Sequence, residues 1–331
     1  MKILVTGATG FLGFRLIQTL KFEGYEVIAT GRNPIMAEKI SQLGIPFAAG
    51  AVEDKEFLIQ ISQGAEAVIH TAGLSSPWGH YADFERSNVL GTEAVIAACL
   101  KNKIRRLVHV STPSIYVIYG DREQVKESDP LPPQFINAYA ATKFLAEEKI
   151  RAASAQGLET IMIRPRALIG KGDTVIVPRL LRAHQEGRLR IIGSGQNRVD
   201  LTAVSNVVDA LLLCLHAPQE ALNEAYNITN GQPVQLWEFL AEVFDQLGLS
   251  LNRKKIPYSL AFALASGMEA LAKMDPQYKE PPLTRYSVTM LAKNQTLNIE
   301  KARLKLGYQP RQSLEEASEE FIRWWKQTHW L

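Results

Sequence analysis

A chain of 331 residues is long enough for one large α/β unit or two interlocked domains around a sizeable core. With 46% hydrophobic and 21% charged residues it has the composition of a globular protein, and a net charge of +3 without any basic run excludes nucleic acid as the expected partner. Its two cysteines, Cys99 and Cys214, lie in apolar helical patterns and read as buried thiols of a reducing compartment, so neither a disulfide nor a metal site is expected.

The first strand is already under way at residue 2, which leaves no room for a leader and predicts a cytoplasmic protein. No segment reaches the ~20 apolar residues of a membrane span. "MKILVTGATGFLGFRLIQTL" reads as strand, glycine turn, then amphipathic helix. In that context Gly7 permits the sharp turn, Gly10 lets backbone approach a pyrophosphate at the helix N-terminus, and Gly13 allows close helix–sheet packing. The second strand ends in "VIATGRNP", with Gly31 where an NAD-selecting carboxylate would stand and Arg32 after it. A guanidinium there suits a 2′-phosphate, which favours NADP(H) over NAD(H); the plain alternative is a solvated surface Arg.

Further strands are expected in "PFAAG", "EAVIHTA", "RLVHVS" and "TIMIRP", with helices starting near Phe11, Asp54, Phe84 and Asn137. This alternation predicts a Rossmann-type, doubly wound parallel sheet with helices on both faces. We expect residues 1–165 to form a dinucleotide-binding domain, with return segments near 201–228, and residues 166–331 to form mainly a smaller, interleaved C-terminal substrate lobe. Helices near 175–187, 204–217 and 234–248 belong to that half, and two amphipathic helices close the chain. The apolar helix at 257–274 is expected to be buried or to cover a pocket, since it carries few of the cations a membrane-surface helix would use.

"AYAATK" sets Tyr139 and Lys143 four apart on one helix face. A tyrosine ordinarily titrates near ~10, and a neighbouring ammonium is expected to lower that value. The pair could then pass a proton to or from a carbonyl or alcohol oxygen while hydride moves at a nicotinamide. Alone, this spacing is common on solvated helices. Its partners are Ser111, Thr112 and Ser114 in "HVSTPSIY", at the carboxyl edge of the fifth strand where ligands bind in open α/β sheets.

Taken together, "TGATGFLG", "HTAG", "NVLGT", "STPSIY", "YAATK" and "IRPRALIGKGD" occur in an order that resembles the extended short-chain dehydrogenase/reductase superfamily (NAD-dependent epimerase/dehydratase fold) over essentially the whole chain. The resemblance implies Tyr139 as general acid/base, Lys143 on the nicotinamide ribose, and Thr112 as the catalytic hydroxyl, with Ser111 if the register slips by one. It implies that Gly7, Gly10, Phe11 and Leu12 line the pyrophosphate, that Ala72 and Gly73 pass the adenosine, and that Pro165 begins the loop beside the nicotinamide amide. Asn88 matches a position that is more often structural. The family's Asp after the third strand is Ala51 here, leaving the backbone and Val52 to meet the adenine.

"NRVDLTAVSNVVDALLLC" and "LTRYSVTMLAKNQTLNIEKARLKLGYQPR" resemble the 3β-hydroxysteroid dehydrogenase group, while "SSPWGHYADFERSNVLGT" and "STPSIY" are similar to bacterial 2-alkyl-3-oxoalkanoate reductases. These resemblances imply an NADP(H)-dependent oxidoreductase that interconverts a 3-oxo and a 3-hydroxy group on a hydrophobic acyl or steroid-like ketone or alcohol. Two alternatives stand beside it, a nucleotide-sugar 4-epimerase and a non-catalytic NADP-sensing protein. The usual dehydratase elimination is disfavoured, because Thr112 is followed by Pro113 and Ser114 and not by an Asp-Glu pair. Trp78, Ser114 and Arg166 are the substrate candidates, Arg166 either holding the carboxylate of a 3-oxo acid or being surface charge. His80 and Tyr81 could help roof the pocket, with His80 more readily a structural histidine; Arg179 reads as surface charge, and the loop at Met274–Pro276 as a lid. Helices near 84–102 and 137–156 could pair across a two-fold axis in a homodimer, or serve a monomer's own sheet.

Overall fold

The computed structural model describes residues 1–329. From the N-terminus, β1 (Lys2–Thr6), α1 (Phe11–Phe22), β2 (Glu26–Gly31), α2 (Pro34–Gln42), β3 (Phe47–Ala49), α3 (Lys55–Ile61) and β4 (Ala67–His70) follow in strict alternation. The next connection is one interrupted helix: α4 (Tyr81–Phe84), a π-helical turn over Glu85–Leu90, and α5 (Gly91–Lys101). Then come β5 (Arg106–Val110), a 3₁₀ turn at Pro113–Tyr116, β6 (Arg122–Val125), α6 (Ala138–Ser154) and β7 (Glu159–Pro165). One helix, α2, was not expected; Asn33 caps it by accepting the Met36 amide at 3.2 Å, and Pro34 occupies the first helical position.

The second half is more broken: β8 (Leu168–Ile169), α7 (Ile176–Gln185), β9 (Ile191–Ile192), β10 (Arg198–Val199), β11 (Thr202–Ala203), α8 (Val204–Leu215), β12 (Ala225–Ile228), β13 (Val234–Gln235), α9 (Leu236–Gln246), β14 (Lys255–Ile256), α10 (Tyr258–Met274), α11 (Arg285–Ala292), β15 (Gln295–Leu297), α12 (Glu300–Leu306) and α13 (Leu314–His329).

Seven strands make the main sheet in the order β3-β2-β1-β4-β5-β7-β12, and every neighbouring pair is parallel. The winding reverses between β1 and β4, which pair with Thr6 opposite His70, so a crevice opens at the carboxyl ends of these strands. Period-two alternation sends Ile3 and Val5 to one face, where they meet Leu16, Ile17 and Leu20 of α1 and Val207 and Leu211 of α8. Leu4, Val68 and Leu107 go to the other face, against Val95 and Cys99 of α5 and Ile150 of α6. Both cysteines are buried free thiols, and burial pushes each up to about 12.

Segments cross between the halves in both directions. β12 and α8 return to the main sheet, while β6 leaves it for the four-stranded sheet β13-β10-β15-β6 of the second lobe. That lobe has its own core of Trp237, Leu240 and Phe244 from α9 packed with Leu314 and Phe321 of α13. The helix expected to be buried or to cover a pocket, α10, is covered on one side only and contributes Lys273 to the lining of a groove. Ala261 and Ala265 pack with Val288 of α11, whereas Leu260, Leu264, Leu271 and Met274 are exposed. Among the described residues no helix is long and apolar enough to cross a membrane.

Candidate active site

The first turn is shaped by contacts that only glycine allows. Gly7 has φ +72°, and a Cβ there would stand 2.6 Å from the Ala72 amide nitrogen; a Cβ on Gly13 would stand 2.2 Å from the Gly7 carbonyl oxygen. Gly10 is exposed at the cap of α1, and a Cβ there would come within 3.3 Å of that same carbonyl. The helix starts without a side-chain cap and without an acidic residue in its first turn, so its free N–H groups, beside half-buried Phe11 and Leu12, are open to an anion. The strand pairing brings three further sites alongside. Arg32 is exposed just past β2; Ala72 and Gly73 follow β4; and Val52 packs so close to α5 that a Cβ on Gly91 would stand 2.7 Å from its methyl. Pro165 ends β7, buried opposite Ile228. A glycine cradle with an unclaimed helix N-terminus fits a dinucleotide pyrophosphate.

Asn88 sits buried in the π-helical turn. Its Oδ1 accepts the Leu74 amide at 2.8 Å, and its Nδ2 donates to the Thr142 hydroxyl at 3.0 Å, so it pins the bend after β4 to α6. This is a structural role.

Asn137 caps α6 by accepting the Ala140 amide at 2.9 Å, which sets Tyr139 and Lys143 one turn apart. The Thr112 and Ser75 hydroxyls face the Tyr139 phenol and favour its ionised form. Burial outweighs them and raises Tyr139 above the ordinary tyrosine value. The expectation of a phenol made acidic by an adjacent ammonium therefore needs correction for this structure: the Lys143 ammonium is turned toward β5, donating to the Val110 carbonyl at 2.7 Å and lying 3.0 Å from His109 Nε2. Burial brings Lys143 down to about 7, with Glu147 opposing that shift.

Behind Lys143 lies a buried pair of histidines. His70 contacts the Thr6 hydroxyl at 2.7 Å through Nδ1 and the Thr92 hydroxyl at 3.1 Å through Nε2, and its ring lies 5.0 Å from that of His109. Burial, with Lys143 assisting, pushes His70 down to about 3 and His109 well below the usual range, so both rings are neutral. A neutral His109 that accepts from Lys143 at Nε2 carries its proton on Nδ1, which has no partner. Sequence reading passed over His109; its signal was the alternation along β5, which puts it on the same α6-facing side as Ser111.

The two candidate hydroxyls part company. Ser111 donates to Glu147 Oε1 at 2.5 Å, and Glu147 is buried against Arg164, whose Nε donates to it at 2.8 Å. Removing one partner from such a pair costs about 3–5 kcal/mol; Ser111 is part of that structural knot. Thr112 instead donates to Ser114 Oγ at 3.1 Å, and Ser114 Oγ lies 3.2 Å from the Tyr286 hydroxyl. Tyr139, Thr112, Ser75, Ser114 and Tyr286 thus form one chain of hydroxyls. Ser75 and Tyr286 lie in "SSPWGH" and "LTRYSV" but were not expected as site residues, and only the fold brings α11 here.

Arg166 is not surface charge. It is buried, its Nε has no hydrogen-bond partner, and its Nη2 reaches only the Met290 sulfur at 3.6 Å. Burial lowers its pKa, with Tyr286 and Asp200 opposing. Asp200 is itself pushed up to about 6 by burial, held back by the Leu297 amide and by Arg166. Arg179 is exposed and paired with Glu280 at 2.7 Å. Trp78 donates its indole N–H to the Tyr278 carbonyl at 3.0 Å, and the Tyr278 ring stacks on both Trp78 (4.9 Å) and exposed His80 (4.2 Å), tying the loop after β4 to the segment expected as a lid. A groove of about 770 Å³ runs beside the start of α6, walled by Tyr119, Phe135, Ile136 and Ala138, with Tyr81, Lys273 and Arg285 at its sides.

A model of the NAD dependent epimerase/dehydratase family matches residues 3–229. A 2-alkyl-3-oxoalkanoate reductase of Stenotrophomonas maltophilia (strain K279a) is 35% identical over 96% of this chain and 97% of its own length. A 4-hydroxy-2-methyl-3-oxo-4-farnesyl-3,4-dihydroquinoline-1-oxide ketoreductase of Stigmatella aurantiaca is 36% identical, covering 93% of this chain and 92% of that protein. Among solved structures, the UDP-glucuronic acid 4-epimerase from Bacillus cereus in complex with NAD shares the fold, with TM-score 0.78 at 22% identity over 99% of this chain and 100% of that one.

Proposed function

Because the chain belongs to the NAD dependent epimerase/dehydratase family and is an NAD(P)-dependent oxidoreductase acting on CH–OH groups, we propose that it reduces the 3-oxo group of a hydrophobic, carboxylate-bearing acyl or steroid-like substrate to a 3-hydroxyl. The observation that carries this reading is buried Arg166, unpaired at Nε, beside the chain of hydroxyls that ends at Tyr139. A buried guanidinium whose Nε makes no hydrogen bond, and whose neighbouring carboxylate Asp200 is not bonded to it, gains from an arriving anion, and in a 3-oxo acid the carboxylate is two carbons from the ketone. The groove supports an apolar substrate body: of its two cations, Arg285 is already bound to Glu269 at 2.7 Å. A nucleotide diphosphate would want more.

In this reading Thr112, with Ser114 behind it, donates to the ketone oxygen, and Tyr139 gives that oxygen its proton as the carbonyl carbon is reduced. The bound nicotinamide supplies the hydride. The phenolate left on Tyr139 accepts from Ser75 and, once the product hydroxyl departs, from Thr112, and takes its proton back from the water that enters as product leaves. Lys143 is assigned to the nicotinamide ribose, Gly7, Gly10, Phe11 and Leu12 to the pyrophosphate, Ala72, Gly73 and Val52 to the adenosine, and Pro165 to the amide end. NADP(H) is the preferred form, supported by exposed Arg32 and by the absence of a carboxylate at Gly31. Residues 1–165 with 201–228 serve the coenzyme, and most of 166–331 serves the substrate.

Tyr139→Phe tests the mechanism: turnover of a 3-oxo acid should fall by ~10²–10⁴, while NADPH binding, read by fluorescence, stays intact. Unchanged ketone reduction in that variant would overturn the assignment. Stoichiometric NADPH consumption separates this reading from a 4-epimerase, which shows no net coenzyme turnover.

A further inference from the structure

α10 is apolar on two opposite sides, and only one is used. Leu260, Leu264, Leu271 and Met274, opposite the side packed on α11, are 52%, 48%, 70% and 80% exposed. Their spacings of four, seven and three residues place all four within about 80° of arc at 3.6 residues per turn. Between them lie only Ala263, Gly267 and Ala270 on the outer surface, all exposed. A continuous apolar ridge of this kind on a surface marks a contact.

The charges around the ridge identify what it contacts. Arg253 and Lys254 are exposed before the helix, beside Lys255, whose Nζ donates to the Ser194 carbonyl at 2.7 Å, and Lys279 is exposed beyond its far end. The glutamates of this stretch are engaged elsewhere, Glu269 with Arg285 and Glu280 with Arg179, each at 2.7 Å. Asp275, half-buried, accepts the Gln277 amide at 2.9 Å. The result is an apolar ridge with positive charge at both ends, in a chain whose whole net charge is only +3. A second copy of the chain docking through this ridge about a two-fold axis would bring like charges together. An anionic lipid surface satisfies both the ridge and the cations.

The geometry points to α10 as a membrane-contact helix that lies flat on an anionic bilayer, its leucines and Met274 in the acyl boundary and its flanking lysines and Arg253 among the headgroups. The same helix borders the substrate groove: Lys273 stands at the groove's side, and Phe262 meets Tyr119 of its wall edge-on at 5.0 Å. The groove thus lies on the side of α10 away from the ridge. This goes beyond the reductase reading, and its test does not depend on turnover.

The experiment is co-sedimentation of the full chain with phosphatidylcholine vesicles, with and without phosphatidylglycerol. The protein should pellet with the mixed vesicles, at least ~10-fold more tightly than with phosphatidylcholine alone, and less so as salt is raised. Leu264→Glu combined with Leu271→Glu, both on the exposed side, should abolish pelleting and leave reduction of a short water-soluble ketone unchanged. Tyr139→Phe should pellet like the parent, so that failure of the catalytic reading leaves a separate signature. The proposal is overturned if the parent stays in the supernatant, or if the double variant binds as the parent does. It is also overturned if light scattering shows a dimer that the double variant splits into monomers.

Discussion

Two buried cations flank the hydroxyl chain, and they are treated oppositely. Lys143 has two acceptors of its own, the Val110 carbonyl and His109 Nε2. Arg166 has a thioether and an unpaired Nε, with Asp200 nearby, which burial pushes up to about 6. A satisfied charge is held ready and gives up contacts when it moves, whereas an unsatisfied one gains by what it binds. In the function proposed above, the first arrangement suits a group that holds the recurring coenzyme, and the second a group that selects substrate.

The largest expected effect breaks the Arg166 side. Arg166→Met should lower kcat/KM for a 3-oxo acid by about 10–100-fold, since a hydrogen bond between charged groups contributes ~1.5–3 kcal/mol. The matching methyl ester should lose nothing, and equal losses on acid and ester would remove Arg166 from substrate recognition. A smaller effect is expected on the Lys143 side, where His109 is a positioning residue. His109→Leu should cost about 5–10-fold in kcat, from one lost hydrogen bond to a charged donor. It should also move the limb of the pH profile that follows Lys143 to lower pH, because the ammonium loses an acceptor, while His109→Gln should restore most of both. Loss without a shifted limb would make the histidine merely a packing residue.

The smallest effect sharpens the comparison through stability. Asp200 is raised from 3.8 to about 6, so its contribution is complete below 3.8 and is lost as pH rises through about 6. Thermal melts of the parent should therefore decline between pH 4 and 6 relative to those of Asp200→Asn. Parallel profiles for the two proteins would show that Asp200 does not titrate in that window.

What could be read in advance divides along physical lines. Gly7, Gly10 and Gly13 were legible because the turn they make is local and the contacts are to backbone, which every sequence shares. Tyr139 and Lys143 were legible as a helical pair, yet the aim of the ammonium was not, since the acceptors that decide it are on β5. The resemblance pointed to Thr112, with Ser111 one register step away; adjacent strand residues face opposite ways, and Glu147 shows that the Ser111 side is occupied. Tyr286 reaches the site from a helix far along the chain; its segment carried a family resemblance, but nothing in it told that this tyrosine meets Ser114. Arg166 looked the same as a solvated Arg, because burial is a property of what surrounds it. For α10, apolar content was plain, but a helix apolar on two sides does not say which side its own fold covers. The short strand β6 was missed for a related reason: four residues pair into a sheet whose other strands all come from the second half.

Asn88 joins the bend after β4 to Thr142, and Thr142 is the residue next to Lys143. One amide side chain thus acts as a tie-rod between the bend beside the glycine cradle and the helix that carries the proton chemistry. Any displacement of Leu74 pulls on the backbone of α6 one position from the ammonium. The crevice wall at Leu74 and the seat of Lys143 are thereby held by the same side chain.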